Sequence, residues 1–236
     1  MSGGIFSYAL LAALATALLV AAFTDLRRRE IDNGLNAAIA LAAPLWWLSM
    51  GFTWIDVAFQ LGLAAITFVF ACILFAMRQM GGGDVKLLTA LALWVSPLNF
   101  VQLIVLMAVI GGAASVAMAA FNMKRVPGET ARDALALFVA AAWVWGACAI
   151  IFSLVTGRPL IGAETANAVA AFLPHAWIFA LAGLGMVVIF TLGFFHIMRR
   201  QNSRLPIPYG IAISAAGLWV LGEQTLYAAR LAAISG

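Results

Sequence analysis

The sequence is short of charge. Only 9% of its 236 residues are Asp, Glu, Lys or Arg, against about 25% in an ordinary soluble domain. That shortage excludes a compact water-soluble fold. Thirteen basic and nine acidic side chains cannot coat a chain in which 65% of the residues are hydrophobic. A mean hydropathy of +1.07 points instead to a lipid bilayer. Cysteine is nearly missing too: Cys72 and Cys148 lie far apart inside apolar runs, which leaves neither a disulfide framework nor a cysteine-rich zinc site. His175 and His196 are separated by a whole apolar run and form no compact metal pair, so no metal or other cofactor is expected. The basic residues come in small groups rather than on one clustered face, which argues against nucleic acid. They fit the retention of Lys and Arg on the cytoplasmic side of a membrane. The opening Met1-Ser2-Gly3-Gly4 has no basic n-region, and arginines follow the first apolar run. That run therefore reads as a retained span with the N-terminus outside.

What is present is a series of apolar runs. Spans are expected at about 5–24, 35–50, 55–77, 85–95, 98–121, 134–156, 176–198 and 210–228, which makes an all-α, polytopic membrane bundle of about eight spans in a single domain, 1–236. The stretch from Val85 to Phe121 is too long for one span and contains the turn sequence Ser96-Pro97-Leu98-Asn99, so it is split there. Charge supports the split. With eight spans, the groups around Arg27, Arg78, Lys124 and Arg199 all lie inside, and only Arg158 and Arg230 lie outside. Both termini are then outside.

With so few acids, each can be weighed singly, because an ionisable group near hydrocarbon is costly and tends to have a function or a partner. Glu129 and Asp133 fall in a polar inside loop with Lys124, Arg125 and Arg132 and read as solvated charges; Glu164 reads likewise on the outside. Thr53 or Asp56 suits a helix cap. Glu223, near the outer end of the last span, fits a structural hydrogen bond or a functional role. Asp25 and Asp84 differ from these. Asp25 stands where the first span meets the inside, before Leu26-Arg27-Arg28-Arg29, and Asp84 closes Gly81-Gly82-Gly83-Asp84 at the start of the fourth helix. Topology puts both on the cytoplasmic side, where they can meet. Taken singly, Asp84 suits an N-cap and Asp25 a partner for Arg28 or Arg29. Three glycines permit positive φ, a sharp bend and close approach of a second chain.

Two carboxylates a few ångströms apart repel by roughly 4 kcal/mol at an effective dielectric of about 20, which separates their titrations by about three pH units. One stays ionised while the other keeps a proton. Such a pair activates a water against a peptide carbonyl and protonates the departing amine, with no metal and no nucleophilic side chain. The titration belongs to the pair.

These residues resemble the type IV prepilin peptidases, membrane aspartic peptidases with a Gly-x-Gly-Asp motif. The resemblance rests on Asp25-Leu26-Arg27-Arg28-Arg29-Glu30-Ile31-Asp32-Asn33, on Gly81-Gly82-Gly83-Asp84-Val85-Lys86-Leu87-Leu88 and on Pro208-Tyr209-Gly210-Ile211-Ala212-Ile213. Order and spacing look like the short form of Flp-type (tight adherence) pilus systems. The resemblance implies that Asp25 and Asp84 are the catalytic aspartates, with Gly81, Gly82, Gly83 and Lys86 as the supporting loop. It also implies cleavage of a basic leader from prepilin or pseudopilin substrates at the cytoplasmic face of a bacterial inner membrane. Asp32 departs from the family, which has proline there. It adds a third acid seven residues after Asp25, on the same helical face if the helix continues. Asp32, Asn33, Pro208, Tyr209 and Gly210 are expected to shape the site. Longer members carry a cysteine-rich zinc insertion and some methylate the new N-terminus; this chain has no such insertion, and methyltransferase activity is not expected. The tryptophans read as interface anchors and packing residues. The chief rival reading is a transporter or proton relay using Asp25, Asp84 and Glu223, against which stands the concentration of acids at one boundary rather than at the midplane.

Overall fold

The computed structural model describes residues 4–124, 127–172, 176–201 and 209–235. Of the residues singled out above, Arg125, His175 and Pro208 lie outside the described residues. Those described are helical almost throughout: α1 (Ile5–Arg28), α2 (Asn33–Met50), α3 (Trp54–Ala76), α4 (Gly82–Leu91), α5 (Pro97–Phe121), α6 (Thr130–Thr156), α7 (Ala163–Phe172), α8 (Ala176–Arg199) and α9 (Tyr209–Ser235). Among the described residues five segments are long and apolar enough to cross a membrane: Ile5–Arg28, Trp54–Ala76, Pro97–Phe121, Thr130–Thr156 and Ala180–Arg199. The expected count of eight spans is not reached by that measure. The shortfall is clearest at α4, whose ten residues extend only about 15 Å. The break before Pro97 falls where the turn sequence put it, and α7 occupies a stretch read as loop.

Chain contacts group the described residues into two compact units, 4–111 with 209–235 and 112–201. In the first unit α1 packs on α9 and α2, and α4 is enclosed by α2, α3 and α9. Its core is built from Leu14, Leu18, Leu87, Leu91, Leu103, Ile213 and Val220, each 5% exposed or less. Leu41, Leu48, Trp54 and Ile66 face outwards instead, as expected of helices that meet lipid tails.

The short helix α4 ends inside this core, its last carbonyls taken by backbone N–H groups of residues 92–95, and hydrocarbon offers no donors for the carbonyls of the turn that follows. Side chains supply them. Gln60 Nε2 donates to the carbonyls of Ala92 and Val95, both at 2.7 Å, and Trp47 Nε1 donates to Leu93 O at 2.8 Å. Trp94 Nε1 in turn donates to Ile39 O at 2.9 Å and its ring stacks on Trp46. Three tryptophans thus serve packing, and two of them also satisfy backbone.

In the second unit α6 lies against α8, so close that a Cβ on Gly193 would stand 2.9 Å from Val139 Cγ2. Here one expectation is corrected. Asp133 is not a solvated loop charge: it lies in the first turn of α6, 5% exposed, and its Oδ1 is 2.8 Å from His196 Nε2 on α8. Burial of that carboxylate follows from α6 starting four residues earlier than the apolar run suggests. Glu129 stays half-exposed and bonds Arg200 Nη2.

The capping assignments are mixed. Thr53 caps α3 and Asp56 completes the capping box, so both residues share the role. Glu223 Oε2 accepts a hydrogen bond from Gln102 Nε2.

Candidate active site

One end of the first unit gathers five helix termini. The last turn of α1, the start of α2, the last turns of α3, and the first turns of α4 and α9 converge there, and the contacts that join them pass through Asp25, Ile31 and the glycines.

Asp25 is 5% exposed. The helix carrying it stops three residues later because Arg29 adopts the left-handed region (φ 56°), its N–H donating to Asp25 O at 2.9 Å. The Asp25 side chain meets the first turn of α9. A Cβ on Gly210 would stand 2.7 Å from Asp25 Oδ2 and 2.8 Å from Ile31 Cδ1, so glycine is required there by space. The N–H groups of Gly210 and Ile211 face the Asp25 carboxylate, and a helix N-terminus is a favourable place for negative charge. Oδ2 nevertheless completes no hydrogen bond and is buried. Tyr209 seats this end of α9 against α5: its ring lies 2.9 Å from where a Cβ on Gly111 would be.

Asp84 is 7% exposed. It is the third residue of α4, not its N-cap; Gly81 holds that position. Asp84 Oδ2 accepts from the Gly81 N–H at 3.1 Å, one half of a capping box whose other half a glycine cannot supply. Of what the glycine run permits, positive φ is not what Gly81 uses. Gly81 has φ −76°, and the positive-φ glycines among the described residues are Gly51, Gly128 and Gly157. The run serves close approach instead. A Cβ on Gly83 would stand 3.2 Å from Ile31 Cβ, one on Gly81 3.0 Å from Asp84 Oδ2, and one on Gly82 3.5 Å from the Phe75 ring. Ile31, buried between Gly83 and Gly210, thereby spans from the Asp84 side of the site to the Asp25 side.

α4 is too short to span a membrane, and Asp84 in its first turn lies outside the spanning helices. Burial raises its carboxyl to about 6, the nearby Asp25 charge adds to the rise, and the Gly81 N–H opposes it. The two acids, 59 positions apart in sequence, are therefore close enough to feel one another. Between pH 4 and 6 such a pair holds a proton that an isolated carboxylate would have released.

The remaining candidates fall around this pair. Asp32 is exposed and caps α2, its Oδ1 accepting from Gly34 N at 2.6 Å. It does not share a helical face with Asp25, because α1 has ended before it. Asn33 Oδ1 accepts from Lys86 Nζ at 2.6 Å, which ties α2 to α4 on the exposed side. Two residues were not singled out from the sequence: Ile31, and Asn36, whose Nδ2 donates to Gly83 O at 3.3 Å from a 4%-exposed position. An amide within the apolar run Leu35 to Ala43 was the available signal for the second. Among the described residues no three His, Cys, Asp or Glu side chains converge to hold a metal ion.

Residues 12–116 match the type IV leader peptidase family. The matched stretch is a little under half of the chain. It contains both aspartates, the glycine run and Lys86; Tyr209 and Gly210 lie beyond it. No curated protein and no solved structure matched the chain. The match points to a leader-peptidase-like protease acting on a protein substrate, and five helices long and apolar enough to cross a membrane among the described residues point to a membrane protein.

Proposed function

We propose that this protein is a membrane aspartic endopeptidase that removes the basic leader from type IV prepilin-like, Flp-type precursors, with Asp25 and Asp84 as a catalytic dyad. The observation that carries the reading is the meeting of these two buried acids at the junction of α1, α4 and α9. A prepilin or pseudopilin offers a Lys/Arg-rich leader followed by an apolar helix. That helix lies in the bilayer, the leader stays in the cytoplasm, and the scissile bond is presented at the boundary. The positive-inside pattern favours the same face for the site, in a bacterial inner membrane with both termini outside.

In the reaction the ionised member of the dyad takes a proton from water as its oxygen attacks the peptide carbonyl carbon. The protonated member donates to the carbonyl oxygen. The C–N bond of the resulting gem-diol then breaks: the amine takes a proton from the dyad, one gem-diol hydroxyl returns a proton to the dyad as its C=O forms, and the carboxylic acid product leaves. Water is consumed and the dyad ends with the one proton it began with.

The test is cleavage by purified protein in proteoliposomes. Asp25→Asn and Asp84→Asn should each bind a prepilin and cut it at least about a hundredfold more slowly, the size of a general acid–base contribution. Full cleavage by either variant ends the dyad reading.

A further inference from the structure

The first turn of α4 is built from poor material. It begins with Gly82 and Gly83 after the N-cap Gly81, and each glycine inside a helix is less favourable than alanine by about 1 kcal/mol. Space imposes the second of these, since Ile31 crowds the position where a Gly83 side chain would be. A turn of this kind frays unless something outside the helix holds it, and Asp84 is its third residue.

Asn36 reaches it from α2. Its Nδ2 donates to the carbonyl of Gly83, 47 positions away in sequence, at 3.3 Å. That carbonyl belongs to the rigid peptide unit from which Asp84 extends, so fixing it removes the rotation that would swing the Asp84 side chain. The contact also sets which way the amide faces, because the reverse orientation would bring two oxygens together. Asn36 Oδ1 is left buried without a hydrogen-bond partner, a penalty that packing alone would avoid with leucine. Lys86 and Asn33 join the same two helices, but on the exposed side and beyond Asp84.

We propose that Asn36 is a positioning residue for the leader-peptidase reaction: by anchoring the Gly83–Asp84 peptide it holds the Asp84 carboxyl buried and facing the Asp25 side of the site. The proposal rests on the dyad reading above. It requires Asn36 to act on kcat, with little effect on substrate capture, and to control the solvent access of Asp84. The charged group that acts on Asp84 is Asp25 from the end of α1, which itself has Arg29 nearby; Lys86 of α4 is turned to Asn33.

The test uses the full chain in proteoliposomes with a precursor bearing a Lys/Arg-rich leader on an apolar helical segment, together with infrared titration of the Asp84 carboxyl. Asn36→Leu keeps the branched shape and removes the donor. It should lower kcat by about tenfold or more, the cost of a small misplacement, leave KM within about twofold, and move the Asp84 titration to lower pH as water reaches the frayed turn. Asn36→Gln, which keeps an amide donor, should recover part of both; if Asn36→Leu does not fold, Asn36→Ala reads the same quantities. Wild-type kcat and titration in a donor-less variant overturn the proposal. A loss confined to KM, or a lower kcat with the titration unmoved, overturns it as well. Asp84→Asn run alongside separates the two ideas: if that variant still cuts, the dyad fails and the role of Asn36 fails with it. If it does not cut, a normal donor-less variant counts against Asn36 alone.

Discussion

Gly210 approaches Asp25 so closely that a methyl group on its α-carbon would lie 2.7 Å from the carboxylate oxygen Oδ2. The same methyl would lie 2.8 Å from Ile31 Cδ1, so the side chain cannot yield in one direction without meeting a second buried group. Gly210→Ala should therefore displace the carboxylate or push α9 away from α1. The expected outcome is a loss of cleavage of about a hundredfold together with a destabilisation of about 1–3 kcal/mol, typical of overpacking. Gly222→Ala, in the same helix with nothing within 4 Å of the added methyl, is the control and should be close to wild type in rate and melting temperature.

Asp84 gives the protein a pH signature. Its carboxyl titrates near 6 rather than at 3.8, mainly through burial and then through the Asp25 charge. The folded state binds this proton more tightly than the unfolded chain does. The associated stability is complete below pH about 4 and is lost as pH rises through about 6. Asp84→Asn, permanently neutral, should then outlast the wild type in thermal melts at pH 8 by up to about 3 kcal/mol, with the gap closing at pH 4. In the wild type, a dyad that needs one retained proton loses rate as pH climbs past about 6. Asp25→Asn should move the Asp84 infrared titration to lower pH by removing the neighbouring charge. An Asp84 band titrating near 4 in the wild type would sink this account.

Asp32 is separated from the chemistry by its local geometry. Its side chain caps α2 through Gly34 N, on the exposed surface. Asp32→Asn keeps an acceptor for that N–H and should retain both stability and cleavage to within about twofold. Asp32→Ala should cost about 1 kcal/mol of stability, with the rate per folded enzyme unchanged. A loss of cleavage in Asp32→Asn with an active Asp25→Asn would transfer the catalytic role to Asp32.

Much of the site was legible because it depends on composition and order. In a chain with nine acids, two of them at the ends of apolar runs beside arginine and glycine runs draw notice, and turn chemistry at Ser96-Pro97 located the start of α5. What was hidden depends on which side chain meets which backbone. The glycines of Gly81-Gly82-Gly83 permit positive φ, yet Gly83 is needed for the space Ile31 occupies and Gly81 for the approach of the Asp84 carboxylate, and no local pattern reveals which neighbour each meets. Asp133 carried a polar context that hid its burial, since its partner His196 is 63 positions away. Asp32 was ambiguous only because the end of α1 is set by Arg29 in the left-handed region, a conformation more usual for glycine.

The short helix α4 places the last prediction far from the acids. Because α4 stops inside the unit, the carbonyls of Ala92 and Val95 depend on Gln60 Nε2, itself 4% exposed. Gln60→Leu preserves volume and removes both hydrogen bonds, leaving two buried acceptors that lipid cannot satisfy. At about 1–3 kcal/mol for each unsatisfied group, the variant should lose about 2–6 kcal/mol of stability. Gln60→Glu should be worse, since an acceptor would replace the donor and bring negative charge towards the carbonyl end of a helix. The effect on the site is indirect. Freed at its C-terminal end, α4 can slide between α2, α3 and α9, and Asp84 moves with it, so the rate per folded enzyme should also fall. Melting curves and single-turnover cleavage of Gln60→Leu, measured together, check both parts; a variant as stable as wild type would mean that the end of α4 is reached by water rather than sealed by side chains.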